Sequence, residues 1–287
     1  MILAEWYGLS NVGLEEAVEF RIDFRKFVGL HWEDSAPDAT TFCVFRKRIA
    51  KILPKLLKIL NDQLKAAGFE VETVVAVDAS LIEAHSRPVS GRVQHNGEDE
   101  SEGRSGKLGD PDASWRGFNG KKVKGKDGKE SIARRPAMYS YKLNASVSVG
   151  TGFIGKLTMC KGSEHETHHL MALMDNDTRG VFADKGYVGN KTHLKGTGIQ
   201  NFIQNKASRN HPLSADQKKF NKLTVPHRRI VEAVFGSLKR WYGWHKTKYM
   251  GLARNTAAAH MTAIAFNIKK WDRYSQNPHK IPTPAAA

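Results

Sequence analysis

Two aspartates each follow a short apolar run: Val74 to Val77 leads to Asp78, and Val181 to Ala183 leads to Asp184. Runs of this kind read as short buried strands, so each aspartate is expected where a strand ends. A third acid, Glu232, lies in a helical pattern, with Arg228 four residues before it and Lys239 seven after. At 3.6 residues per turn these three share a face, and Val231, Val234, Phe235 and Leu238 form an adjoining apolar stripe that can dock on a sheet. Convergent carboxylates are hard oxygen donors of the kind Mg²⁺ takes alongside water and substrate phosphate. Two such ions about 4 Å apart clamp the attacking and leaving oxygens of an in-line phosphoryl displacement. Arg228 and Lys239 would then hold phosphates beside them. Taken singly, the same residues have ordinary uses: an aspartate ending a strand, or a Glu232–Arg228 pair at i, i+4.

Charge points to a polyanionic partner. The chain has 287 residues, and 45 Lys and Arg against 29 Asp and Glu give a formal net charge of +16. Between Lys206 and Arg254 there are twelve Lys and Arg against only Asp216 and Glu232, so much of the surplus is local. A local surplus reads as a binding surface rather than a diffuse solubility coat. From Lys239 to Tyr249 cations alternate with aromatics. Lys246 and Lys248 are candidate phosphate contacts, with Arg228, Arg229, Lys239 and Arg240 along the helix before them. Trp241 is expected in the core, although stacking on unpaired bases is an alternative use of such a residue.

A rival motif is His165 to His169, which fits HExxH, the helix-borne zinc signature of metalloproteases. It lacks an evident third ligand, and a protease has no use for the basic stretch. Cys43 and Cys160 stand far apart, outside any CxxC spacing, which suggests neither a disulfide framework nor a cysteine zinc site. No apolar run approaches membrane-spanning length and the start does not read as a signal peptide, so a reducing cytoplasm is expected.

The elements that must position these groups form two regions. Residues 1–70 read as helical: Leu14, Ala17 and Val18 recur at helical spacing, as do Phe42, Phe45, Ile49 and Ile52, with Asp38 or Thr40 as a cap. Pro54 should open a further helix with a Leu56, Leu57, Leu60, Leu64 stripe, ending at Gly68. Residues 71–272 alternate strands and helices. Residues 89–136, rich in glycine with an acidic cluster and then a basic one, read as a long mobile loop. Beyond it, Leu143–Val149 and Phe153–Met159 predict a hairpin turning at Gly150 to Gly152. His165–Met174 suits a helix, and Ile199–Ile203 a strand. Pro226 should open a long helix through about Trp241, followed by one over Ala257–Trp271. Residues 273–287 read as a frayed tail.

Several blocks together resemble the DDE-type transposases of bacterial insertion sequences, specifically the insertion-sequence-five family. These are Arg21 to Leu30 and Pro37 to Thr41 with Phe45-Arg46, then Val77 to Ala84 around the first aspartate. Asp110 to Asp112 and Tyr139 to Lys142, Ala183 to Tyr187, His227 to Lys239, and Gly251 to Asn255 complete the set. The resemblance implies an α/β, RNase H-like catalytic core, a mixed sheet flanked by helices, after a small helical amino-terminal domain that binds DNA ends or dimerises. It implies catalytic and metal-holding roles for Asp78, Asp184 and Glu232, with two Mg²⁺ ions for which Mn²⁺ can substitute. The implied partners are double-stranded DNA, both terminal inverted repeats and target, bound by a homodimer on paired ends. The family usually has Tyr three residues before the Arg of its glutamate block; this chain has Val225. Asp184 and Glu232 stand 48 positions apart, too close for the β insertion of some relatives. Family members commonly carry further residues before the Trp6 to Ser10 motif, so part of the end-recognition region is expected to be missing. The alternative expectations are a disabled, transposase-derived DNA-binding protein and the zinc protease.

Overall fold

The computed structural model describes residues 1–88, 109–118, 121–124, 130–133 and 136–277. The β-branched run at Val74 opens β1 (Val74–Glu83), the strand on which the sheet is built. The others are β2 (Ser114–Arg116), β3 (Lys121–Lys124), β4 (Glu130–Ala133), β5 (Met138–Ser148), β6 (Ile154–Lys161), β7 (Gly180–Ala183) and β8 (Gln200–Ile203). The main sheet runs β2-β5-β1-β7-β8, with β6 also on β5, while β3 and β4 pair separately. Strands β1, β5 and β6 form an antiparallel meander, and β7 and β8 add parallel to β1. The expected hairpin is therefore present, turning at Gly152, whose φ of 72 suits a residue without a Cβ.

Side chains alternate across the pleat, so each face of the sheet needs its own cover. Ala76, Ile82, Leu143, Ala145 and Val147 pack with helices α6 (Ala215–Tyr242) and α7 (Leu252–Gln276). Val75, Val77 and Val181 face Leu170, Leu173 and Tyr187 from short 3₁₀ turns on the other side. This mixed sheet flanked by helices is the RNase H-like arrangement expected. It follows a helical region of α1 (Ile2–Tyr7), α2 (Asn11–Phe20), α3 (Ile22–Val28), α4 (Ala39–Ile49) and α5 (Leu53–Ala66). Asp38 caps α4 through Thr41 N. Helix α5 lays Leu53 and Leu57 into the main core, while Leu56 is left exposed. Asn61 of α5 and Asn267 of α7, both fully buried, bond each other and the backbone of Ile154, which fixes both helices on β6.

Several elements depart from expectation. Strand β1 does not end at Asp78: Ala79 to Glu83 pair with Asn144 to Ser140 of β5, so the aspartate sits mid-strand. Helix α6 begins at Ala215, not at Pro226, because Ser214 and Gln217 form a reciprocal capping box. Pro226 lies inside the helix, where both it and Lys222, four residues earlier, are exposed, so the freed carbonyl can meet water. Residues 165–174 form two 3₁₀ turns, Glu166–His169 and Met171–Leu173, rather than one helix. The expected long loop is broken by β2, β3 and β4, and residues 89–108 of it lie outside the described residues. The frayed tail starts later than expected: α7 runs to Gln276, and buried Tyr274 donates its hydroxyl to Thr151 O at 2.8 Å. Residues 278–287 lie outside the described residues.

Candidate active site

Three elements bring the acids together. Mid-strand in β1, Asp78 has one carboxylate oxygen bonded to Ala79 N at 2.8 Å. Asp184 follows β7 and caps the 3₁₀ turn Lys185–Lys191 through Lys185 N. Glu232 comes from α6, which is seated by Val231, Val234, Phe235 and Leu238 in the core and by His227 stacked on Phe182 at 4.7 Å.

The focus of the three acids is a cation. Arg228 Nη2 lies 3.8 Å from Asp78 Oδ2 and 3.3 Å from Glu232 Oε1, and its Nη1 lies 4.0 Å from Asp184 Oδ1. Its Nη1 also donates to Gln204 Oε1 at 3.4 Å, and Gln204 is itself held by Asn221 O and Thr224. The carboxylates thus surround one guanidinium instead of meeting at a single point.

Electrostatics at Asp78 agree with that picture. Burial pushes its carboxyl up to about 6; the Ala79 amide and Arg228 pull it down, while Asp184 and Glu166 push it further up. A partly buried carboxylate with like charges beside it calls for positive charge. The donor set fits a hard divalent cation: every candidate ligand is a carboxylate oxygen, and the protein's own folding already sets a cation among them.

Other expected DNA contacts are distributed differently. Lys239 is half-buried, and burial lowers its ammonium below the ordinary value. Arg229, Arg240 and Lys246 are exposed. Lys248 is engaged elsewhere, 2.9 Å from Glu5 Oε2. Trp241 was expected in the core and is 70% exposed, because Leu238 and Tyr242 carry the buried stripe on either side of it.

Two further side chains stand beside the acids. Tyr187 is fully buried with its hydroxyl unpartnered; burial pushes its pKa up, and the charges of Asp78, Glu166 and Asp184 push it up further, which keeps the phenol neutral. Glu166 approaches so closely that a Cβ on Gly186 would lie 2.8 Å from its Oε1. The second-aspartate block contains both Tyr187 and Gly186, but nothing in linear order shows Glu166 facing them. The HExxH reading fails on geometry: in a 3₁₀ turn His165 bonds Thr167, and His169 turns instead to Glu164 at 3.0 Å. Asp110 is a structural residue. Its buried carboxylate accepts from Tyr141 Oη at 2.6 Å and from Gly251 N, beside Asp112, which accepts from Leu252 N.

Comparison with known proteins gives the family. Residues 70–268 match a family model described as a transposase DDE domain, and residues 1–48 match a second described as a transposase domain. A curated relative, the transposase for insertion sequence element IS1106 of Neisseria meningitidis serogroup B, is 31% identical over 227 residues, 76% of this chain and 72% of its own length. No solved structure matches the chain. Among the described residues no helix is long and apolar enough to cross a membrane. With a family model covering the whole sheet and all three acids, this chain belongs to the DDE transposases, nucleic-acid-cleaving and -transferring enzymes of DNA transposition.

Proposed function

We propose that the chain cleaves DNA at the terminal inverted repeats of an insertion sequence and joins the freed 3′-OH to target DNA at one site. Asp78, Asp184 and Glu232 are the catalytic acids in this reading and hold two Mg²⁺ ions, or Mn²⁺ in their place. When bound, such ions offset the charge that builds on the phosphorus oxygens and on the attacking and leaving oxygens. The observation that carries the reading is the gathering of three carboxylates, remote in the chain, within 4.0 Å of one guanidinium.

The protein's own residues supply position and charge. Arg228 keeps the carboxylates oriented before substrate arrives, and Gln204 fixes Arg228. Arg229, Arg240 and Lys246 are exposed near the site's helix and bind backbone phosphates, with Lys239 closer in. Water attacks the phosphodiester in line and the 3′ oxygen leaves; that hydroxyl then attacks a target phosphodiester, displacing another 3′ oxygen. Catalysis is therefore mostly positioning and electrostatic stabilisation. The active assembly is a homodimer on paired ends. Residues 1–70 serve end binding or dimerisation, supported by Phe20, Phe27 and Trp32 standing exposed there.

The test is a gel assay with Mg²⁺ and labelled end DNA. Asp78→Ala, Asp184→Ala and Glu232→Ala each abolish nicking while the DNA shift is kept. Nicking that survives any one of them removes that residue from the site. A wild-type shift without nicked product supports the disabled DNA-binding reading instead.

A further inference from the structure

A second donor set lies apart from the three acids. Cys160, near the end of β6, Glu164, in the turn that follows, and His169, in the first 3₁₀ turn, point their ligand atoms at one another. Sγ, a carboxylate oxygen and an imidazole nitrogen all fall within 4.8 Å of each other, the sole such trio among the described residues. We propose that Cys160, Glu164 and His169 bind one Zn²⁺ ion, leaving a fourth position open.

The chemistry of the donors selects the metal. Thiolate and imidazole are soft and borderline ligands, which Mg²⁺ avoids and Zn²⁺ takes in tetrahedral sites with three protein ligands. Zinc bonds run about 2.0–2.3 Å, so closing the site needs side-chain shifts of about 1 Å, not backbone movement. The ion replaces the 3.0 Å contact between His169 Nε2 and Glu164 Oε1. Binding displaces the Cys160 proton to solvent, since only the thiolate is a ligand.

The surroundings of the sulfur carry a second, independent observation. Asn144 is fully buried and turns its amide nitrogen toward Sγ at 3.5 Å, while its Oδ1 has no partner. The same nitrogen reaches Thr158 Oγ1 at 3.4 Å, so it donates to hydroxyl and sulfur together, and a charged sulfur accepts such a bond more strongly than a neutral one. As a thiol, Cys160 has only the Lys142 carbonyl, 3.8 Å away, to donate to. The buried ammonium of Lys142 donates to the Glu164 carbonyl and lies 3.6 Å from Glu166, so it braces the same turn.

The consequence is positional. Zinc would pin both ends of the segment from Cys160 to His169, and Glu166 within it faces Gly186 and Asp78. The ion thereby sets how Glu166 approaches the acidic site without touching substrate.

Cobalt(II) tests this directly, because thiolate ligation gives a near-ultraviolet charge-transfer band that carboxylates do not. The full chain, reduced with a phosphine and held in excess Mg²⁺, is titrated with Co²⁺ and then with Zn²⁺. The expected result is a band that saturates at one equivalent, is displaced by Zn²⁺, and is lost in Cys160→Ser. Cys43→Ser, the chain's only other cysteine, keeps the band; His169→Ala and Glu164→Gln weaken Co²⁺ binding at least about tenfold, as loss of a ligand should. Absence of the band, its survival in Cys160→Ser, or unchanged affinity in both His169→Ala and Glu164→Gln overturns the proposal. Asp78→Ala keeps the band, so this outcome is separable from failure of the acidic site.

Discussion

Replacing Arg228 with Gln asks whether the guanidinium occupies the place of a cation. The side chain is 13% exposed and meets carboxylates at 3.3, 3.8 and 4.0 Å. Exposed pairs are worth about 0.2–1 kcal/mol each. Glu232 is 55% exposed and belongs at the low end, while Asp78, at 24%, belongs near the top. With Asp184, at 39%, between them, the three pairs sum to about 2 kcal/mol, and at about 2–4 °C per kcal/mol for a chain of this size the melting temperature should fall about 4–8 °C in EDTA. Mg²⁺ binds the folded state only, so it should stabilise the variant more than the wild type and recover over half of the loss. Differential scanning fluorimetry of both proteins with EDTA or Mg²⁺ measures the coupling. An equal loss under both conditions, or none in EDTA, would refute the idea that ion and guanidinium answer the same charge.

Other perturbations have calculable directions. Gly186→Ala sets a Cβ 2.8 Å from Glu166 Oε1. That side chain can swing away, so the melting temperature should stay within about 2 °C while nicking drops about 10- to 100-fold from displaced groups; wild-type nicking would show that Glu166 has no bearing on the site. Asn267→Ala removes three bonds, 2.9–3.0 Å long, and orphans the buried Ile154 amide, so urea unfolding should show a loss of about 3–5 kcal/mol. A loss under about 1 kcal/mol would mean that the network is not what fixes α5 and α7 on β6. Burial lowers the Lys270 ammonium to about 8, with Arg273 adding to the shift. The unfolded chain then holds more protons than the folded one between roughly pH 8 and 10, so stability should rise with pH across that window. Melts at pH 7, 8 and 9 should show the rise in wild type and its loss in Lys270→Met.

Much of the acidic site was legible because each acid is announced locally, by a β-branched run or by a helical face with a basic partner. What linear order hid was the extent of the elements. Val74 to Val77 looked like a complete strand because Ala79 to Glu83 carry no alternation; only pairing with β5 draws them into the sheet. The start of α6 was written in Ser214 and Gln217, yet Pro226 is the stronger punctuation when carbonyl exposure is unknown. Trp241 was misplaced because it sits beside the Leu238–Tyr242 stripe, and its size argued for burial where its phase did not. Cys160, Glu164 and His169 form no motif at all, since a turn and a 3₁₀ geometry bring them together.

Asp110 has a wider effect through the clasp it closes. Its amide donates to Ser86 O at 3.0 Å, Gly109 fits against Pro88 with no room for a Cβ, and its carboxylate, with that of Asp112, serves as the absent cap of α7. The chain at 88 and the chain at 109 are thereby held side by side next to the start of α7. One carboxylate thus couples stretches remote in sequence, so its removal would loosen the start of α7 and the 86–110 contact in a single step.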